Sequence, residues 1–293
     1  GLALAAFQQA LGRSGARLVL RQGPAAAALD RLIAETGART VMWSRLYDPA
    51  AVARDTAIKA ALTARGLVAV SHPGHVMFEP PRVTTGQGGA YQVFGAYWKA
   101  VRGREVAGPL PPPARWPAPG AWPASDTLAD WRLDAAMNRA APVLTARALA
   151  GEAAARDRLD AFVARDLPAY ATARDFPARA ATSGLSEPLA WGEIAPATIW
   201  NAAFAAMEQG DPGAESFLRE LAWRDFAHHL MFHRPEMLTG NLRPEWDAFP
   251  WNEDPHRPEI LAFLQGRTGF PLVDAGMREM WVTGRMHNRV RMV

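Results

Sequence analysis

The sequence predicts an α/β domain built on a parallel sheet, followed by an all-α domain. Three observations carry that prediction. Short apolar strands alternate with helix-length segments over the first hundred residues, a proline-dense stretch ends the alternation, and the later apolar patterns have helical period.

The elements follow in order. Leu4, Phe7 and Leu11 fall at helical spacing, and Arg17–Arg21 (RLVLR) then predicts a strand. Leu29, Leu32 and Ile33 mark a helix opened by Pro24, and Arg39–Ser44 (RTVMWS) is the second predicted strand. A helix from about Pro49 to Arg65 leads into a third strand, Leu67–Ser71 (LVAVS). Helices joining short apolar strands are crossover connections, which makes the sheet parallel and covers its faces. The domain is Rossmann-like in that sense. It opens on a helix with no evident first strand, however, and no GxGxxG follows any strand. Thr84–Tyr91 (TTGQGGAY) predicts a turn into a helix bearing Phe94, Tyr97 and Trp98; no lysine follows it in the Walker position.

Seven prolines between Pro109 and Pro123 exclude helix and central strand. Residues 1–106 are therefore read as the α/β domain, 107–125 as a linker and 126–293 as the helical domain. In the last, Asp130–Ala150, Arg156–Arg165, Pro196–Gln209 and Gly213–His233 carry helical periodicity, and Pro271–Thr283 sets Val273, Met277, Met280 and Trp281 on one face.

At 293 residues with 49% apolar and 21% charged, the chain can bury a sizeable core and is not intrinsically disordered. It has no cysteine, which excludes a disulfide scaffold, an iron–sulfur cluster, a cysteine nucleophile and a thiolate zinc site. Its apolar stretches are too short to span a bilayer, and Gly1–Leu11 lacks a basic leader, so a cytoplasmic protein with no membrane partner is expected. The net charge is only +3, but the only lysines are Lys59 and Lys99. Arginine richness suits phosphate contact, although GC-rich coding produces the same bias.

Four clusters could carry chemistry. His229 and His233 stand one helical turn apart, a spacing able to share a metal, but no glutamate follows His229 and no third ligand is signposted, so a structural role and no metal are expected. Thr182–Ser186 (TSGLS) precedes a proline-bearing helix start, where hydroxyls and free N–H groups suit a phosphate or serve as a cap. Glu220 and Trp223 lie three residues apart on one helical face, offering an acceptor beside a stacking plane, as a flipped base requires; Glu220 with Arg224 could equally form an i,i+4 ion pair. Met286–Met292 (MHNRVRM) sets an asparagine among arginines, which suits an anionic cofactor with an amide-edged base.

Taken together, the chain resembles the photolyase/cryptochrome family in an ordered set of segments. These are TGQGGAYQVF at 85–94, RDFPARAATSGLS at 174–186, FLRELAWRDFAHHL at 217–230, FPW at 249–251 and GRTGFPLVDAGMREMWVTGRMHNRVRM at 266–292. The resemblance implies FAD in the helical domain, with Tyr170, Thr182, Ser183, Leu185 and Ser186 at and beside its phosphates and Arg224, Asn288 and Arg291 near the flavin. It implies that Glu220, Trp223, Asn288, Arg289 and Met292 line the cavity for a cyclobutane pyrimidine dimer, with Glu220, Trp223, Asn288 and Met292 catalytic. Trp251 corresponds to the outermost tryptophan of the photoreduction chain.

The implied activity is light-driven repair of that lesion in DNA by a monomer. Two other readings are a cryptochrome-like flavin photoreceptor and a non-functional fragment. A second, antenna chromophore is expected without an assigned identity, since Gly89 stands where folate-type antennae meet an acidic residue. Arg285 stands where the family usually has an aromatic residue. The family's opening strand and its closing helices, with the inner tryptophans, are expected to be missing from this chain, leaving the helical domain incomplete.

Overall fold

A computed structural model describes the chain except residues 112, 114, 115, 139 and 293. The first half contains α1 (Leu2–Arg13), α2 (Ala25–Thr36), β1 (Thr40–Ser44), α3 (Pro49–Ala64), β2 (Val68–His72) and α4 (Phe94–Val101). β1 and β2 pair in parallel, with Thr40 opposite Val68 and Ser44 opposite His72. The crossover helix α3 starts where the local chemistry dictates: Pro49 occupies its first turn and the Asp48 side chain accepts the Ala51 N–H at 2.8 Å. Ala51, Ile58 and Leu62 form its buried stripe.

The segment Arg17–Arg21 departs from expectation. It forms no regular element and joins no ladder with β1 or β2. Its backbone is satisfied instead by the end of the proline-rich stretch. Leu20 N–H donates to Ser125 Oγ at 2.9 Å, Asp126 N–H donates to the Leu20 carbonyl at 2.9 Å, and the Asp126 carboxylate accepts Gln22 N–H at 2.8 Å. Side-chain oxygens supply what a neighbouring strand would have supplied.

The second half is helical among the described residues: α5 (Ala140–Thr145), α6 (Glu152–Arg165), α7 (Tyr170–Ala173), α8 (Ser186–Trp191), α9 (Pro196–Glu208), α10 (Ala214–His233), α11 (Pro258–Leu264) and α12 (Pro271–Thr283). The single helix expected over Asp130–Ala150 is broken into two 3-10 turns and α5. Arg132 and Asn138 take left-handed φ of 44° and 47°, which ends each turn before a helix can propagate.

One core unites both halves. Phe78, Val83, Phe94, Tyr97 and Val101 from the first half are buried in the same cluster as Phe162, Leu167, Ile199, Trp200, Phe217 and Phe226 from the second. Helix α10 is the strut of this core, lying against α9 on one flank and α4 on another. Its N-terminus passes so close to the Leu167–Tyr170 backbone that a Cβ on Gly213 would stand 1.8 Å from the Leu167 carbonyl oxygen. Only glycine fits there, although its φ of −91° is ordinary.

Candidate functional site

Helix α10 presents three faces. The first packs into the core with Phe217, Leu218, Leu221 and Phe226. The second faces the loop between β2 and α4: the buried Asp225 carboxylate accepts the N–H groups of Met77 and Phe78 on a single oxygen, at 2.7 and 2.9 Å. Burial lifts the Asp225 acid to about 7 despite those bonds and the Arg224 charge. Arg224 donates to the His75 carbonyl at 2.8 Å, and His229 Nε2 accepts the Tyr91 N–H at 3.1 Å. Desolvation lowers both His228 and His229 to about 4, so each is neutral near pH 7. The histidines thus hold a loop and pack on rings, His228 edge-on to His75 and His229 beside Tyr97.

The third face lines a groove of about 540 Å³ together with α7 and the segment after α12. Trp223 lies here with one face stacked on Phe94, ring centroids 3.8 Å apart and planes 12° from parallel, and is 44% exposed. Glu220 sits one turn back and pairs with Arg174 Nη1 at 2.6 Å, not with Arg224 as the spacing had offered. Arg224 points to the other domain because the Asp225 carboxylate and the His75 carbonyl draw it there. Asn288, Arg289 and Met292 close the opposite wall. Five of the residues singled out in the sequence therefore meet in one groove: Glu220, Trp223, Asn288, Arg289 and Met292. The wall they form depends on Gly276 in α12, where a Cβ would come within 2.4 Å of Val290 Cγ1.

The remaining residues are not part of the groove's lining. Tyr170 is buried edge-on to Phe162 and Phe217, with the Arg174 guanidinium 5.2 Å from its ring centre, and burial pushes its hydroxyl up to about 12. Leu185 is buried in the core, while Thr182 and Ser186 are exposed and Ser183 is half-buried. No side chain caps α8, so the hydroxyls of this turn are not used to close its first N–H groups. Arg291 is exposed. Trp251 lies outside the groove, half-exposed, donating from Nε1 to the Trp246 carbonyl at 3.0 Å beside Phe249. Three contributors stand in the segments quoted above but were given no role there. Arg174 reaches the groove from far along the chain, Asp175 pairs with its Arg289, and Phe94, read only as a helix aromatic, backs the Trp223 ring.

This combination defines a class: an α/β domain fused through a shared core to a helical domain whose groove pairs a stacking indole with a carboxylate and an amide. The chain belongs to the photolyase/cryptochrome family. Residues 2–118 match the family described as DNA photolyase, and residues 217–293 match the FAD binding domain of DNA photolyase. A deoxyribodipyrimidine photo-lyase of Agrobacterium fabrum is 42% identical over 99% of this chain and 60% of its own length. Cryptochrome-2 of Arabidopsis thaliana is 32% identical over 99% of this chain and 49% of its own length. A bacterial class III photolyase from Agrobacterium tumefaciens superposes with a TM-score of 0.94 at 42% identity, again over 99% of this chain and 60% of that one. The chain thus spans about three fifths of the photolyases it matches. No helix among the described residues is long and apolar enough to cross a membrane.

Proposed function

We propose that this chain serves light-driven repair of cyclobutane pyrimidine dimers in DNA, with FAD as its cofactor. The observation that carries the reading is the groove itself, where an indole plane, a carboxylate and an amide converge. The donor set suits FAD: the exposed hydroxyls of Thr182 and Ser186 and the half-buried Ser183 match a diphosphate, and Asn288 offers a donor and an acceptor to a flavin edge with the exposed Arg291 nearby in sequence. Bound and reduced, FAD would supply on excitation the electron that opens the cyclobutane ring and receive it back afterwards.

The protein's own residues do the rest. Trp223 is fixed in plane by Phe94 behind it, so its free face stacks a splayed pyrimidine at about 1–3 kcal/mol per base. Glu220, anchored by Arg174, accepts a hydrogen bond from a pyrimidine N–H and cannot swing away. Met292, 70% exposed at the groove, covers apolar ring atoms once a lesion is seated. Arg219 and Arg289 attract the phosphates on either side. In this reading residues 1–106 and 126–293 act as the two domains, the chain works as a monomer, and the absence of cysteine suits the cytoplasm.

The test is the loss of thymine dimers from a model oligonucleotide under blue light, with FAD-loaded, reduced protein. Loss that needs light supports repair. Retained flavin with no loss, and no preference for dimer-bearing over undamaged DNA, would support the photoreceptor reading that the cryptochrome relatives share.

A further inference from the structure

Four charged side chains at the groove form a chain of alternating sign. Arg174 Nη1 lies 2.6 Å from Glu220, Arg174 Nε lies 4.0 Å from Asp175 Oδ1, and that same oxygen takes Arg289 Nε at 2.7 Å and Nη2 at 2.6 Å. The two arginines are not equivalent. Arg174 is only 12% exposed and lies over the Tyr170 ring, so it stays with Glu220. Arg289 is 40% exposed and its partner Asp175 52%, so their pair is wet, screened and easily exchanged.

A phosphodiester that takes Arg289 must displace a carboxylate of the same charge. The exchange is close to neutral, so a passing nucleic-acid backbone gains little from this arginine. A strand that also seats a base against Trp223 and Glu220 is held long enough for the exchange to occur. We propose that Asp175 is a specificity-determining positioning residue, which withholds Arg289 from undamaged nucleic acid and yields it to a strand whose lesion occupies the groove. This rests on the DNA-repair reading above.

The experiment measures binding of the full chain to one single-stranded oligonucleotide, with and without a thymine dimer, across a salt series. Asp175→Asn should raise affinity for the undamaged strand about two- to fivefold, the range set by freeing an exposed arginine from an ion pair. It should also steepen the slope of log K against log salt by about 0.7, one further released counterion on a single strand. Affinity for the dimer should change less, so the damaged-to-undamaged ratio falls. Asp175→Glu should restore both ratio and slope. In an Arg289→Ala background the Asp175→Asn gain should vanish, because there is no cation left to free.

An equal gain in both backgrounds would mean a general charge effect and overturn the inference. So would a loss of affinity accompanied by a lower Tm, which would make Asp175 a structural staple. A wild-type chain that discriminates, with an unchanged ratio in Asp175→Asn, overturns this inference alone. A wild-type chain with no preference for the dimer overturns the repair reading as well.

Discussion

Asp225 is a point at which a single substitution should be felt, because one buried oxygen holds two backbone N–H groups of the other half of the protein. Truncation and isosteric replacement should therefore behave differently. Asp225→Ala leaves the Met77 and Phe78 N–H groups without an acceptor, at about 1–3 kcal/mol each. Asp225→Asn can set its amide oxygen where Oδ2 stands and keep both bonds, giving up the Arg224 contact while also removing a charge that burial disfavours. At pH 8 the alanine variant should fall roughly 2–6 kcal/mol below the asparagine variant. For a chain of this size that gap is of the order of 10 °C in Tm. Urea unfolding followed by tryptophan fluorescence, with Tm measured in parallel, reads both quantities. Equal stability of the two variants would refute the argument, since the shared acceptor would then carry nothing.

Acid should destabilise the protein through the histidines. His228 and His229 titrate near 4 when folded and near 6.5 when unfolded, so their contribution is present above 6.5 and lost as pH falls to 4, whereas Asp225, at about 7 folded against 3.8 unfolded, contributes in the opposite sense. Of these three groups the net is about one proton, about 1.4 kcal/mol per pH unit and less because His228 is only partly buried. His75, also lowered by burial, acts in the same sense as the other histidines; Asp225→Asn should steepen this slope, and a flat profile between pH 4 and 6.5 would contradict it. Glu220→Ala should lower repair roughly tenfold or more with flavin still bound, while Ser186→Ala should weaken FAD about two- to tenfold; identical behaviour in absorbance titration and repair assay would undo the assigned roles. Gly276→Ala should cost about 1–3 kcal/mol and loosen the 285–292 wall, because the new Cβ meets Val290; an unchanged Tm would mean that the wall yields freely.

What the sequence made legible was local. β1, β2, α3, α4 and α12 followed from apolar period and proline placement, since each is settled by interactions within a few residues. Arg17–Arg21 has the composition of a strand, but pairing depends on what lies alongside, and here Ser125 and Asp126 do. The broken helix after Asp130 turned on two residues at positive φ, Arg132 and Asn138; asparagine favours such positions, but arginine does not announce one. In the groove, Glu220 with Trp223 and Asn288 with Arg289 were legible as neighbours on one element, but their meeting across the chain was not. The Glu220–Arg174 pair spans 46 residues and the Arg289–Asp175 pair 114, so no spacing rule links them, and the nearer Arg224 offered a partner that the fold assigns elsewhere.

Helix α10 shows why such sites resist a periodicity reading. An amphipathic pattern assumes one buried face and one wet face. Here Phe217 and Leu221 go into the core, Asp225 and His229 into the contact with the other half, and Glu220 and Trp223 into the groove, so the buried face carries a carboxylate and an imidazole and the wet stripe carries an indole. Its charges look like a solvated face until the partner of each is known. Asp225 is fully buried and Glu220 is bound to Arg174, whereas Trp223, the residue most expected inside, stands in the exposed stripe with Glu215, Arg219 and Ala227. That inversion sets α10 apart from a helix that only packs. It buries a carboxylate to hold a loop, and it packs one face of an indole on Phe94 while leaving the rest of that ring half-exposed at the groove.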